Sequence, residues 1–535
     1  MVHRKESKKA MKKPLIVIIL ILVLPAGLYF VFNSQNQTRE QQSGIFSQNY
    51  DNVQQATQPK TVELKNGQRY NLTASIVKKT INNNTVKMLA YNGSIPGPII
   101  KVQQGSQISI NFTNHTDVPT TLHPHGVRVD NAFDGVPDVT QKATPVGGSF
   151  TYKLKFPDAG VYWYHPHLRE DYTQALGLYG NFIVEPTDAN YWSPVNEEIP
   201  LVLSDILMSN GQIASYNKAQ ADHTFMGRFG NVLLVNGQTN YLQTVRAGEV
   251  VRYYITNTAS TRIFDFSIPN AKMKLVGGDN GKVTNEQFED FVMIAPSERS
   301  IVEVYFEKSG NYPILHTTPQ HTYTLGTITV KDNHVATSYQ NEFNTLRINQ
   351  NMTASISNLV NYYSKPADKK LKIEADIAGM SKGDSHMMGN GQMMGGNMMM
   401  NYAAKIEWED TMSMMNTNSN PTNTKWHLVD QDTNKVNNAI GWQFKKGSLV
   451  KIQIFNDPNS SHPMQHPIHI HGNRFLVLDT NGVKNDNPQW KDTTLAQAGD
   501  TVDILVDMSN PGTWMLHCHI PEHLESGMMT SFKVI

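Results

Sequence analysis

The chain has 535 residues and a single cysteine, so no internal disulfide can brace it. Cys518 is left with two roles, a small buried hydrophobe or a thiol that does chemistry. Net charge is absent too. Lys plus Arg and Asp plus Glu number 46 each, and the formal charge of +0 marks the chain for neither nucleic acid nor an acidic partner. What it has in excess is histidine, 19 residues, and methionine, 24.

The amino terminus carries Arg4, Lys5, Lys8, Lys9, Lys12 and Lys13, then an apolar run from Pro14 to Phe32 that is about long enough to span a bilayer. No small-x-small cleavage site follows, which favours reading residues 1–32 as an uncleaved signal anchor; the alternative is a signal peptide and a secreted chain. The basic flank would stay in the cytoplasm and the rest would face outside, at the cell surface or in a periplasm-like space. Sequons at Asn71, Asn92, Asn111, Asn351 and Asn459 fit an exported chain. Residues 33–59, rich in Gln and Asn, read as a flexible tether.

Beyond the tether one pattern occurs three times. GSQISINFTNHT from Gly105, GEVVRYYITNTAS from Gly248 and GSLVKIQIFNDPNS from Gly447 each run glycine turn, alternating strand, then Asn and polar residues. PDAGVYWYHPH, EKSGNYPILHTT and SNPGTWMLHCH each run turn, Gly, aromatic, strand, His. Repeats on this scale predict three related all-β sandwich domains, at 60–187, 188–340 and 368–535, with a linker at 341–367. Only the first and third copies carry paired histidines. His316 and His321 of the middle copy do not match the pattern, which makes that domain a spacer without metal ligands.

The pairs are His123/His125, His165/His167, His469/His471 and His517/His519. Residues two apart on a strand share a face, so each pair aims two imidazoles at one place. Imidazole suits copper, zinc and iron. Eight imidazoles exceed what one metal takes, so the pattern predicts a polynuclear site between the first and third domains. Cys518, between His517 and His519, points to the opposite face. His466, three residues before His469, has that parity too, and a turn after Pro521 can return His523 and Met528. Two histidines, a thiolate and a weak axial methionine form a blue-copper electron-transfer site. The backbone at Cys518 would then join the two sites.

Together, H-P-H-G, W-Y-H-P-H, H-P-I-H-I-H-G and H-C-H-x-x-x-H with its downstream Met resemble the four copper motifs of the multicopper oxidases, over about residues 60 to 535. The resemblance implies three consecutive cupredoxin-like Greek-key domains and four coppers per chain. It places type 1 copper on His466, Cys518, His523 and Met528, type 2 on His123 and His469, and the type 3 pair on His125, His165, His167, His471, His517 and His519. It implies four one-electron oxidations of substrate coupled to reduction of O2 to two waters.

Asp134, in DNAFDG, stands where the family has an acid that assists the trinuclear centre through solvent; the D-G pair alone would also explain it as a turn residue. Many bacterial members have Glu directly after the second type 1 histidine, where this chain has Leu524 followed by Glu525, which opens the question of the proton path. The axial Met528 implies a modest reduction potential. A Met-rich insertion, 380–416, includes Met387, Met388, Met393 and Met394. It reads either as a Gly-interrupted loop covering apolar surface or as a recruiter of Cu(I), for which thioethers are soft ligands. Met464 stands where cuprous oxidases of the family place a substrate methionine; His462 stands where they place an acid, and is either a Cu(I) ligand or a loop histidine. The expected function is a multicopper oxidase acting on Cu(I) in copper detoxification. The alternatives are a laccase-like oxidase of phenols, an Fe(II) or Mn(II) oxidase, or a non-enzymatic copper store or structural cupredoxin protein.

Overall fold

The computed structural model describes residues 46–47, 49–333, 335–380 and 405–535. The signal anchor, most of the tether and Met387, Met388, Met393 and Met394 lie outside the described residues. Among those described, no helix is long and apolar enough to cross a membrane.

Three pairs of sheets follow one another along the chain. In the first, strands Arg69–Ile81, Asn84–Tyr91, Gln107–His115 and Ser149–Lys155 form one sheet. The facing sheet holds Thr61–Leu64, Ile99–Gln103, Gly180–Glu185, Gly160–His165 and, at its edge, His123–His125. The middle pair spans Glu197–Ile206 to Thr322–Lys331 and the last spans Lys369–Ile377 to Met529–Val534. Alternation explains each sandwich. In Gln107–His115 every second residue is buried, and Ile108, Ile110 and Phe112 meet Tyr152, Leu154 and Trp163 in the first core. The middle and last domains have cores of their own.

The repeated glycines show that the three copies share geometry. Gly105, Gly248 and Gly447 take φ of 85°, 87° and 79°, a turn that a side chain resists. Between the second and third sandwiches, the linker is ordered into short helices Gln340–Asn344, Gln350–Ser357 and Val360–Ser364. Met352 and Leu359 pack there against Leu476 and Leu505 of the last domain.

Candidate metal centre

Strand register assembles the histidines. His123 lies opposite His165 across one antiparallel pair, and His469 lies opposite His517 across another. The two edges face each other between the first and third sandwiches. His125 stacks on His469 at 3.8 Å between ring centroids, and His123 on His471 at 4.2 Å. His519 completes the ring, 5.0 Å from His125 and 5.1 Å from His165. His167, His471 and His517 converge on another point of the same chamber. All eight are buried.

Their hydrogen bonds decide which nitrogens face inward. His123 Nδ1 is 2.6 Å from the Asp134 carbonyl, His471 Nδ1 is 2.9 Å from Asp134 Oδ2, and His517 Nδ1 is 2.8 Å from the Cys518 carbonyl. These acceptors require protonated Nδ1, so the opposite Nε2 carries a lone pair. His471 Nε2 and His517 Nε2 nevertheless lie 2.9 Å apart. Two lone pairs at that distance repel unless a cation sits with them. Nε2 of His123, His165, His167 and His469, Nδ1 of His125 and both nitrogens of His519 have no hydrogen-bond partner, although buried polar groups normally find one. Burial and neighbouring imidazoles push the pKa values of His125, His165, His167, His469, His471 and His519 well down, and burial brings His517 to about 4. The fold thus presents neutral imidazoles, the form that binds a transition metal. The donor set fits copper.

On the other face of the same strand, Cys518 Sγ is 3.6 Å from His466 Nδ1 and 3.8 Å from His523 Nδ1. Helix Pro521–Glu525, opened by proline at its start, returns His523 to this point. Trp426 stacks on His523 at 4.2 Å. Met528 is buried in the same core cluster, and its carbonyl accepts a hydrogen bond from the Cys518 backbone N–H at 3.1 Å. Burial pushes the Cys518 thiol pKa up, so without a metal it stays protonated. A bound cation reverses that preference.

Asp134 ties the first domain to the third, holding His123 by its carbonyl and His471 by its carboxylate. It also closes the short turn Asn131–Phe133, its N–H donating to the Asn131 carbonyl, and the next residue has to be glycine because a Cβ on Gly135 would stand 2.1 Å from the Leu122 carbonyl oxygen. Leu524 is buried with Val136 and Met515. Nearby, Glu170 lies 3.4 Å from His167 Nδ1 and 3.7 Å from His165 Nδ1 with neither oxygen hydrogen-bonded. Burial, then Glu525, Asp171 and Glu522, raise its pKa well above the usual carboxylate range. Met464 is buried and His462 stacks on Phe225 at 4.1 Å, so both stand under cover beside the thiolate site. His316 stacks on Tyr323 within the middle domain, and its Nδ1 accepts from the Asp265 N–H.

Sequence reasoning missed Glu170, Asp492 and Arg299. Asp492 Oδ1 is 3.0 Å from His125 Nε2, and its carbonyl is 2.8 Å from His469 Nδ1. Arg299 of the middle domain pairs with that carboxylate at 2.7 and 2.5 Å. None of these residues sits in a histidine motif except Glu170, which follows W-Y-H-P-H by three positions.

Three family models, each described as multicopper oxidase, match residues 73–189, 195–343 and 405–535. The chain is 26% identical over 461 residues to the multicopper oxidase mco of Staphylococcus epidermidis, covering 84% of this chain and 85% of that one. It is 27% identical over 467 residues to Laccase-1 of Botryotinia fuckeliana, covering 83% and 78%. Among solved structures it resembles a multicopper oxidase of Pseudomonas thermotolerans, with a TM-score of 0.65, 23% identity, and coverage of 89% of this chain and 100% of that one. A multicopper oxidase of Campylobacter jejuni described as a metallo-oxidase gives a TM-score of 0.65 and 23% identity over 90% and 98% of the two chains.

Proposed function

The chain belongs to the multicopper oxidases, copper-dependent oxidoreductases that use O2, and from that premise we propose that it oxidises Cu(I) and protects an extracytoplasmic compartment from copper. His466, Cys518, His523 and Met528 would hold the type 1 ion. His123 and His469 would hold type 2, and His125, His165, His167, His471, His517 and His519 the type 3 pair. Bound there, copper supplies one-electron acceptance from the reductant and the four-electron reduction of O2. The protein's part is to hold neutral imidazoles in place and to join the two sites. Cys518 does the joining, because its sulfur faces His466 and His523 while its carbonyl accepts from His517 Nδ1.

The observation that carries the Cu(I) reading is where the end of the methionine-rich insertion is fastened. Glu407 N–H donates to Gln465 Oε1 at 2.7 Å, and Gln465 Nε2 donates back to the Glu407 carbonyl at 3.0 Å. Gln465 is the residue before His466. Asn416 Oδ1 accepts from the Met226 N–H at 3.0 Å, and Ser419 Oγ accepts from the N–H of Phe225, the residue that stacks on His462. The described end of the segment, from Lys405, is thereby fastened beside His466 and His462, and thioethers of the kind the insertion carries suit Cu(I).

A phenol-oxidising reading is favoured by one feature. A cavity of about 970 Å³ is lined by Leu207, Phe229, His223 and Thr417. The neighbouring Thr224 carbonyl accepts from Trp426 Nε1, whose ring lies on His523. Comparing kcat/KM for Cu(I), Fe(II) and a small phenol on one copper-loaded preparation separates the two. Cu(I) should be preferred by at least about tenfold. A preference for the phenol sinks the cuprous-oxidase reading and leaves the family assignment intact.

A further inference from the structure

Asp492 is fully buried where the three domains meet. Its Oδ1 accepts from His125 Nε2 at 3.0 Å, Thr493 Oγ1 at 3.0 Å and Arg299 Nη1 at 2.7 Å. Its Oδ2 accepts from Arg299 Nη2 at 2.5 Å and Asn280 Nδ2 at 2.7 Å. The guanidinium of Arg299 is itself fully engaged. Its three remaining N–H groups go to the carbonyls of Val161 at 3.1 Å, Ser297 at 2.9 Å and Asp279 at 3.2 Å. All five donors are therefore used, across two domains besides its own. The Arg299 backbone N–H donates to Asp279 Oδ1 at 2.7 Å, and Asp279 also pairs with Lys491 of the third domain at 3.3 Å.

The consequence for the histidines is specific. The Asp492 carboxylate takes Nε2 of His125, which leaves Nδ1 to face the chamber. The Asp492 carbonyl takes Nδ1 of His469, which leaves Nε2 to face it. The two rings lie 17° from parallel. One aspartate thus sets opposite nitrogens on two imidazoles from different domains. The glycine of H-P-H-G is explained by the same arrangement. A Cβ on Gly126 would stand 2.3 Å from Asp492 Oδ2 and 2.8 Å from Arg299 Nη2.

We infer that Arg299, from the domain that carries none of the proposed ligands, is a positioning residue for the trinuclear copper site, fixing His125 through the Asp492 carboxylate. This rests on the copper-site reading above. A carboxylate freed from its bidentate partner can rotate, and His125 then loses the acceptor that selects its tautomer. Loss of such an outer partner typically weakens metal binding ~10–100-fold. The thiolate site, on the opposite face of its strand, is not touched by this network.

The test is copper stoichiometry and electron paramagnetic resonance on Arg299→Lys, Asn280→Ala and Arg252→Lys. Arg252 is an equally buried arginine of the same sheet, paired with Glu303 at 2.6 Å and away from the histidines. Arg299→Lys should stay blue while its affinity for the non-blue coppers falls at least tenfold and its type 2 signal is lost or altered. Asn280→Ala should shift the type 2 signal in the same direction by less, and it decides the matter alone if Arg299→Lys does not fold. Arg252→Lys should leave copper content and both signals unchanged. Full copper and an unchanged type 2 signal in both Arg299→Lys and Asn280→Ala, in a wild type that binds the trinuclear cluster, overturn the positioning role only. A wild type that binds blue copper alone overturns the site reading and this inference together.

Discussion

Cys518 is a buried thiol whose neighbours are two histidine nitrogens on one side and, through its own carbonyl, a third histidine on the other. Replacing its sulfur with oxygen changes almost nothing in volume and everything in ligand softness. Cys518→Ser should therefore fold, lose the visible thiolate-to-Cu(II) band and lose oxidase activity. A serine variant that stays blue removes Cys518 from the type 1 site. His165→Ala should show the converse. Its ring lies in the eight-histidine chamber, stacked on Trp163 at 4.1 Å, and no atom of the thiolate site depends on it. A blue protein that accepts electrons but turns over with O2 more than about 100-fold slower is expected, since an inner ligand should count for at least as much as an outer one. Unimpaired O2 consumption would mean that His165 holds no copper.

At the scale of elements, the strands and turn glycines were legible because their signals are local. An alternation of period two and a left-handed glycine can be read from a dozen residues, and the four histidine pairs inherit their shared face from the same period. The outer partners were not legible. Arg299 and Asp492 are 193 positions apart and meet only because separate sandwiches dock. The middle domain, read as a spacer, contributes Arg299, Asp279 and Asn280 to the site's surroundings. The insertion was legible as composition, but the anchoring of its end was not: Asn416 is fully buried and donates to the Gly227 carbonyl at 2.8 Å. A deletion that removes Met387, Met388, Met393 and Met394 and spares the anchor at Asn416 is 381–404, replaced by a short Gly/Ser linker, which adds little closure cost. It should raise KM for Cu(I) several-fold, leave the blue band unchanged and leave phenol oxidation steady or faster. Equal losses for both reductants would make the segment structural, and the phenol reading would move ahead.

For the whole molecule, the buried groups set how stability changes with pH. Nine site histidines have lowered pKa values in the folded chain, with His466 near 3 and His517 near 4, against about 6.5 unfolded. Between those limits the unfolded chain binds more protons. Their contribution is complete above about 6.5 and is lost as pH falls. Buried glutamates act with the opposite sign. Glu170 and Glu522 are raised well above the usual range, and Glu407 and Glu525 are raised to about 7. Each stabilises the fold while protonated, and that contribution fades as pH rises from about 4.5. Asp265, raised to about 6, and Asp205 and Asp279, raised by burial, act with the glutamates, and His316, lowered to about 4, acts with the histidines. The two sets nearly balance in number, so the telling quantity is the change that copper makes in the slope of the urea midpoint from about pH 5 to 6.5. Copper leaves the histidine contribution in place, because a metal-bound imidazole carries no proton either and the unfolded chain still takes one up. It adds a further proton at Cys518, whose thiol is protonated in the copper-free fold but would be a thiolate on the metal and is protonated again on unfolding. The urea midpoint should therefore climb more steeply with pH in the loaded protein than in the copper-free one. Parallel slopes with and without copper would mean that Cys518 is not its ligand.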